Sequence, residues 1–273
     1  MGKQDAHGTD RSQGQGCDRD RLRHRHRCLS RNCACQARRQ RRVNYTKSEK
    51  EARETADEVR RAGADVRLVQ SDVSKDSDCK KLAQSALDAW GRIDILVNNA
   101  GTTKFAAHND LDALNAEDFA NIYAVNVIGP FQMIRACAEA MKSHGQGSVV
   151  NVSSIAGIRG IGSSVAYAAS KGALNNMTIS LARALAPAIR VNAVCPGYVA
   201  TGWFRNRFGE EGFKRITETQ AQVAPLKRAA DGDEIAKTVL FFAGPESRHV
   251  TGETLLTDGG LHLNIALEPR AGA

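Results

Sequence analysis

Apolar residues recur along most of this chain in two patterns, short uninterrupted runs and longer stretches with a helical period. The uninterrupted runs predict buried strands at 66–73, 93–101, 148–154, 189–197 and 252–260. The helical period predicts helices at 48–62, 75–90, 126–144, 164–186 and 233–243. Strands that alternate with helices predict an α/β protein, with a Rossmann-like doubly wound parallel sheet in a single domain.

The first 42 residues do not share this pattern. They contain 12 of the 38 lysines and arginines but 4 of the 30 acidic residues, so they carry the whole net charge of +8. They also hold four of the seven cysteines and show neither apolar period. We therefore divide the chain into an atypical basic segment at 1–42, a domain at 43–264 and a C-terminal tail at 265–273.

The abrupt change at residue 43 suggests a shifted reading frame from about residue 8 to about residue 42. Codons for the alternating Asp and Arg of 18–21, read one nucleotide later, encode alternating Ile and Ala. The shifted text reads as a glycine-rich turn followed by an apolar helix. Our hypothesis is that this segment is a frame-shifted version of the first βαβ unit.

Two functional alternatives exist for the same segment, a basic nucleic-acid arm and a metal site. The candidate ligands of a metal would be His24, His26, Cys28, Cys33 and Cys35. Their spacings miss the paired C-x₂-C pattern of structural zinc, and arginine runs are more often solvated tails. Since aromatic residues are not interleaved with the basic ones, we predict neither a metal nor a nucleic-acid partner.

The composition outside this segment is that of an ordinary folded domain. Of the 273 residues, 42% are hydrophobic and 25% are charged, which is enough apolar material for one sizeable core. No apolar run approaches the roughly 20 residues that span a bilayer, and no apolar leader is visible at the N-terminus. These features predict a cytoplasmic protein without a membrane partner.

The strongest chemical feature is a tyrosine and a lysine one helical turn apart, Tyr167 and Lys171. Side chains at i and i+4 share a helix face, so the ammonium lies near the phenol and favours its ionised form. That effect would move the tyrosine pKa from about 10 toward neutrality, as general acid/base catalysis requires. Ser154 follows a predicted strand, at the sheet edge where α/β proteins bind ligands.

Taken singly, each of these residues is better explained by packing, because Y-x-x-x-K is common by chance. Their combination with other motifs favours a functional site. In chain order these are NNAG at 98–101, Asn126, Ser154, the Tyr167 and Lys171 pair, PG at 196–197 and DGG at 258–260. With these motifs in register, residues 43–264 resemble the short-chain dehydrogenase/reductase family. The pattern is most similar to that of 3-oxoacyl-[acyl-carrier-protein] reductases and their close relatives that act on sugars or small ketones.

The resemblance implies a nicotinamide-dependent oxidoreductase that interconverts a ketone and a secondary alcohol by hydride transfer. Tyr167 would protonate the carbonyl oxygen, Ser154 would orient it, and Lys171 would hold the nicotinamide ribose and lower the tyrosine pKa. Asn126 would support a water that relays protons to Lys171. The implied cofactor contacts beyond Tyr167 and Lys171 are Asp72, Val73, Asn99, Ala100, Gly101, Pro196, Gly197, Val199 and Thr201. Asn98 and Asp258 would serve the scaffold.

The cofactor prediction rests on the segment 43–48, which corresponds to the end of the second strand in this family. NAD-selective Rossmann proteins place a carboxylate there to bind the ribose 2′-hydroxyl. This chain instead has Asn44, Lys47 and Ser48, with no acidic residue to repel a 2′-phosphate. We therefore expect NADP(H) rather than NAD(H), with Asn44 and Ser48 among its contacts.

One family element is missing, the T-G-x-x-x-G-x-G turn that binds the cofactor pyrophosphate at a helix N-terminus. Gly8, Gly14 and Gly16 have the wrong spacing, and no apolar strand precedes them. The first βαβ unit is therefore predicted to be disrupted. A second hypothesis follows, that the chain is a defective relative, unable to bind dinucleotide, which acts only as an oligomer subunit or interaction protein.

The segment 202–226 is the expected substrate loop, and it combines aromatic with basic side chains. These are Trp203, Phe204, Phe208 and Phe213 beside Arg205, Arg207, Lys214 and Arg215. One interpretation is an ordinary amphipathic lid. The other places the aromatic rings over an apolar substrate and the basic groups toward an acidic acyl-carrier protein. The resemblance also implies a homotetramer, with 126–144 and 164–186 at its main interface.

Overall fold

A computed structural model of the chain describes residues 33–35 and 40–263, and its strands form one seven-stranded sheet. The strands are β1 (Cys33–Cys35), β2 (Gln40–Tyr45), β3 (Asp65–Gln70), β4 (Ile95–Asn98), β5 (Gly147–Val152), β6 (Ile189–Pro196) and β7 (Thr254–Thr257). Their order across the sheet is β3-β2-β1-β4-β5-β6-β7. The predicted fold class, a Rossmann-like α/β sheet, is confirmed.

Helices connect most of these strands. They are α1 (Glu49–Arg61), α2 (Asp76–Trp90), α3 (Ala116–Tyr123), α4 (Gly129–Lys142), α5 (Ala156–Arg159), α6 (Val165–Leu185), α7 (Gly202–Val223) and α8 (Gly232–Ala243). A π-helical turn, Ala124–Ile128, joins α3 to α4, so the helix predicted at 126–144 begins earlier than expected. Across the described part of the chain, none of the helices has the length and apolarity to cross a membrane.

The third strand across the sheet, β1, departs from the prediction of a parallel sheet. β1 runs antiparallel to both neighbours, with Cys33 opposite Val43 and Ala34 opposite Leu96. Four residues, 36–39, connect β1 to β2. A parallel neighbour needs a crossover of about a dozen residues or more, so this short link permits only an antiparallel pair. The other six strands share one direction.

Part of the basic segment is thus in the sheet, since β1 and the first three residues of β2 precede residue 43. The other residues of the frame-shift hypothesis lie outside the part of the chain that the structure describes. Gly8, Gly14 and Gly16 lie outside it as well. The candidate metal ligands His24, His26 and Cys28 and the tail at 265–273 also lie outside them.

Alternating strand residues build two cores, one on each face of the sheet. Leu96, Val149 and Val191 pack under α2, α4 and α6, with Met141 fully buried among them. Val97 and Val150, the next residues along the chain, and Val194, three residues after Val191, face the opposite way, under α1 and α8. This double burial follows from the two-residue period of strands and explains why these strands read as continuous apolar runs.

A buried hydrogen-bond chain ties the sheet to α6. Asn98 Nδ2 donates to Asn151 Oδ1 at 2.9 Å, and Asn151 Nδ2 donates to Thr178 Oγ1 at 2.9 Å. Asn98 thus links β4 to β5, in agreement with the structural role that the resemblance implies for it.

The crossing of α5 and α6 is the tightest backbone approach around the sheet edge. A Cβ atom at Gly157 would lie 2.4 Å from the Lys171 carbonyl carbon and 2.6 Å from the Gly172 nitrogen. Real side chains never approach a backbone so closely, so glycine is required at this position.

We predict that Gly157→Ala destabilises the protein by about 3 kcal/mol, because one helix must move away from the other. The measurement is the free energy of unfolding in urea. Gly202→Ala is the matched control, since a Cβ there meets nothing within 4 Å. Equal stability of the two variants would contradict the predicted crossing.

Candidate active site

The six parallel strands end at one edge of the sheet, and the predicted catalytic residues gather there. Ser154 follows β5 by two residues and accepts a hydrogen bond from the Ala156 amide at 3.1 Å. The Ser154 hydroxyl is a neighbour of the Tyr167 phenol and favours its ionised form. The structure thus brings together the serine hydroxyl and the phenol, the two groups expected to meet a substrate oxygen.

Helix α6 sets the position of Tyr167 and Lys171. The helix begins after Ser164, whose hydroxyl accepts from the Tyr167 amide at 3.2 Å and caps the first turn. The Lys171 ammonium lies 5.7 Å from the Tyr167 ring centroid and donates to the Val152 carbonyl at 2.9 Å. The lysine is 4% exposed, so its ammonium is held under the site and not in solvent.

Burial moves the pKa values of both groups away from their ordinary values. It raises the pKa of Tyr167, and the neighbouring Ser154 hydroxyl offsets that shift only in part. Burial also lowers the pKa of Lys171 to about 8. The expected shift of the Tyr167 pKa toward neutrality is therefore not the direction found, because loss of solvation on burial outweighs the contribution of Ser154.

Asn126 is fully buried in the π-helical turn. Its side-chain amide donates to the Thr102 carbonyl and to Ser170 Oγ, both at 3.0 Å, while Oδ1 accepts from the Thr102 amide at 2.8 Å. Ser170 in turn donates to the Tyr167 carbonyl at 2.7 Å. Thr102 and Ser170 were not predicted as site residues, although Ser170 lies within the Y-x-x-x-K motif.

The loop that follows β4 lies over this group. A Cβ at Gly101 would be 3.7 Å from Asn126 Oδ1 and 3.8 Å from Lys171 Nζ. Asn99 and Ala100 beside it are half-buried, and Ala100 packs on the core. The loop backbone at Gly101 thus passes close to both side chains.

The predicted adenine contacts follow β3. Ser74 donates to Asp72 Oδ1 from its amide and its hydroxyl, at 3.1 and 2.7 Å, and these bonds lower the pKa of Asp72. Val73 is 7% exposed and packs against Gly129, where a Cβ would lie 3.1 Å from the Val73 oxygen. The Val73 side chain thus belongs to the core, and its carbonyl accepts a hydrogen bond from the Cys79 thiol at 3.3 Å.

The two candidates for cofactor selection differ in their surroundings. Asn44 is buried and donates to the Ser71 carbonyl at 3.1 Å, which ties the ends of β2 and β3 together. Ser48 is exposed before α1 and makes no side-chain cap bond. Ser48 and the exposed Lys47 are therefore open to a ligand, whereas the Asn44 amide is already engaged.

The loop after β6 is held from two sides. The Pro196 carbonyl accepts from the Ile155 amide at 2.9 Å, and a Cβ at Gly197 would lie 2.8 Å from the Asp258 Cβ. Val199 forms a parallel bridge with Ala230. Thr201 is half-buried and precedes α7.

The expected substrate loop is the helix α7, kinked at Gly209, where the backbone leaves helical geometry. Its first turn brings Trp203 to 6.5 Å from the Tyr167 ring and 5.9 Å from Phe105, between ring centroids. Phe105 was not predicted, because a lone aromatic residue in a loop carries no periodic signal. Aromatic side chains thus form one wall beside the phenol.

Asn126 and the buried Lys171 ammonium lie beside the Gly101 backbone and are the residues that would hold a nicotinamide ribose. The pyrophosphate half does not fit, because the antiparallel β1 has its carboxyl end at the opposite edge from the site. The link after it, 36–39, also contains no glycine. Within the described ranges, no turn replaces the glycine-rich phosphate loop.

Comparison with known proteins places this architecture in a family. The family model described as "Enoyl-(Acyl carrier protein) reductase" matches residues 26–262. The structure of a "putative short-chain dehydrogenase/reductase" from Burkholderia xenovorans superposes with a TM-score of 0.77 at 36% identity, over 89% of this chain and 93% of that one. The fold and the site thus define a short-chain dehydrogenase/reductase, an α/β oxidoreductase.

Proteins with similar sequences are also reductases by name. "Granaticin polyketide synthase putative ketoacyl reductase 2" from Streptomyces violaceoruber is 41% identical over 81% of this chain and 85% of its own. A 3-oxoacyl-[acyl-carrier-protein] reductase from Thermotoga maritima is 38% identical over 67% of this chain and 71% of its own. The chain belongs to the short-chain dehydrogenase/reductase family.

The depressed pKa of Lys171 predicts how stability depends on pH. Between about pH 8 and the ordinary lysine pKa of about 10.4, the unfolded chain binds more protons at this position than the folded chain does, so stability rises with pH. We expect the native protein to gain about 3 kcal/mol over this range relative to Lys171→Met, which cannot titrate. Urea unfolding of both proteins at several pH values measures the difference. Parallel pH profiles would contradict the buried position of the ammonium.

Proposed function

We propose that this chain reduces a ketone to a secondary alcohol, with Tyr167 as the proton donor. The observation that carries the proposal is the grouping of the Ser154 hydroxyl, the Tyr167 phenol and the Lys171 ammonium at one edge of the sheet. The ammonium lies 5.7 Å from the Tyr167 ring centroid and is bonded to the Val152 carbonyl. A carbonyl oxygen placed between the serine hydroxyl and the phenol would accept a hydrogen bond from each. When bound, the nicotinamide cofactor would supply the hydride.

Burial raises the pKa of Tyr167, so the phenol is protonated at neutral pH but gives up its proton less readily. Its role as the acid therefore depends on a neighbouring group that stabilises the phenolate. The Lys171 ammonium, 5.7 Å from the ring centroid, would stabilise the phenolate that remains. With a pKa of about 8, the lysine exchanges protons readily near neutral pH and suits the return of a proton to the tyrosine.

For the cofactor we propose NADP(H). The nicotinamide ribose would lie over Lys171 and Asn126. The 2′-phosphate would lie near the exposed Lys47 and Ser48. The substrate class to test first is the 3-oxoacyl thioester of an acyl-carrier protein, because reductases of that name are relatives of this chain.

A homotetramer is part of the proposal. Apolar side chains at the proposed interface are exposed in the single chain, among them Phe131 on α4 at 41% and Ile179 on α6 at 44%. A second copy would cover them. The cytoplasmic location remains a prediction from the sequence.

Loss of the phenolic hydroxyl tests the proposed acid. We expect Tyr167→Phe to lower kcat at least about a hundredfold, since general acid catalysis contributes that much or more. Turnover is measured with NADPH on an acetoacetyl thioester, a simple ketone and a sugar. Tyr198→Phe is the control, because that phenol pairs with Thr217 on α7 at 2.8 Å. Equal rates in the two variants would exclude Tyr167, and no thioester activity would reject the carrier-protein substrate.

A second candidate function is favoured by the antiparallel β1, which leaves the pyrophosphate half of the site unbuilt in the described residues. In this case the chain is a subunit or interaction protein that keeps the catalytic helix but holds no dinucleotide.

Cofactor binding separates the two candidates. We expect saturable NADPH binding by nicotinamide fluorescence, with a weaker response to NADH. Lys47→Glu is expected to raise the Kd for NADPH about tenfold, the equivalent of one lost charge-assisted contact. Lys50→Glu, an exposed position on α1, is the control. An NADH preference would refute the cofactor assignment, and no saturable binding of either nucleotide would favour the second candidate.

A further inference from the structure

Four aromatic side chains form a continuous strip that starts at the phenol of Tyr167. Trp203 lies 6.5 Å from Tyr167, Phe105 lies 5.9 Å from Trp203, and Phe208 meets Phe105 edge to face at 5.5 Å, all between ring centroids. We call this set, Tyr167, Trp203, Phe105 and Phe208, the aromatic strip.

The strip is open to solvent along its α7 side. Trp203 is 45% exposed and Phe208 is 41% exposed, and no residue of α7 is buried. Rings that pack on one another but remain this exposed leave a large apolar surface next to the reacting hydroxyl. Since contiguous apolar surface of this kind commonly marks a binding site, its position suits the body of a substrate.

A cation with no carboxylate partner lies at the far end of the strip. The Arg207 guanidinium is 5.5 Å from the Phe105 centroid and 6.0 Å from that of Phe208. Two other basic residues of α7 do have carboxylate partners, since Arg205 pairs with Glu210 at 2.9 Å and Lys214 pairs with Glu218 at 4.0 Å, whereas Arg215 forms no ion pair within the described residues. In the part of the chain described, no carboxylate lies within ion-pair distance of Arg207. This guanidinium is therefore available to a ligand.

We infer that the substrate is an aromatic ketone with an anionic group at the end remote from the carbonyl. The order along the strip is phenol, indole, phenyl ring and guanidinium. A planar body would pack on Trp203 and Phe105 in the tilted or edge-to-face geometry that aromatic pairs prefer. A carboxylate would then pair with Arg207, whose fork-shaped donor set matches two oxygens. This inference rests on the proposed ketone reduction and narrows its substrate class.

A binding measurement tests this without any turnover. The chain has two tryptophans, and Trp90 on α2, far along the chain from the strip, is replaced by phenylalanine so that only Trp203 fluoresces. This Trp90→Phe protein is titrated with para-acetylbenzoate and with the neutral acetophenone. We expect saturable quenching by both, with the carboxylate bound about tenfold more tightly, as a charge-assisted contact predicts.

Arg207→Gln in the same background is expected to remove this preference, so that the two ligands bind alike. Arg205→Gln is the matched control, because Arg205 already has a carboxylate partner, and it should keep the preference. A chain with Trp203→Phe and native Trp90 corrects for quenching that does not arise at the strip. Equal binding of the two ligands by the parent protein, or equal loss in both arginine variants, would overturn the inference.

Failure of the inference and failure of the proposed function are distinguishable. Tyr167-dependent reduction of linear thioesters, without selective binding of the aryl carboxylate, would overturn only the substrate class. Selective binding without turnover of any ketone would keep the strip as a ligand site and overturn the proposed reaction.

Discussion

The site depends on how closely α6 approaches the end of β5. The Ser153 hydroxyl donates to the Lys171 carbonyl at 3.2 Å, and the Lys171 ammonium donates to the Val152 carbonyl at 2.9 Å. The lack of a side chain at Gly157 permits the crossing that brings these groups together. Because both ends of one lysine are fixed to the same strand, the phenol one turn earlier has little freedom to move. The serine, the phenol and the ammonium are thus positioned by backbone contacts.

Burial in this fixed position is energetically unfavourable for the charged form of the lysine. Burial lowers its pKa to about 8 and raises that of Tyr167, so the two groups shift in opposite directions. Environments that separate the pKa values of neighbouring groups commonly assign their acid and base roles. Here the tyrosine keeps its proton, and the lysine gives up its own more easily. A bound ligand that supplied oxygen atoms to Lys171 would raise its pKa again and keep it charged at higher pH, and that charge would favour the phenolate.

The sequence predicted the features that depend on local periodicity. The helix predicted at 75–90 is Asp76–Trp90, followed by Gly91 in the left-handed conformation that a helix end requires. The site residues Ser154, Tyr167 and Lys171 came together as expected, because the motif spacing fixes their place on α6 and β5. The antiparallel β1 was not predictable, since its pairing with β4 joins residues far apart in the chain and its three residues carry no period. Phe105 and the direction of the Tyr167 pKa shift also depend on burial by distant elements.

The two ends of the site therefore differ in how firmly they are packed into the core. The phenol end is built into the core through α6, and the lid end is not, because α7 buries none of its residues. An unburied helix with a kink at Gly209 gains little from packing, so its position depends on what lies between it and the sheet. A ligand that covers Trp203 and Phe208 would supply the apolar contact that α7 lacks. Binding of the substrate body and closure of the lid would then be one event, and discrimination between substrates would arise at the aromatic strip while the phenol end stays unchanged.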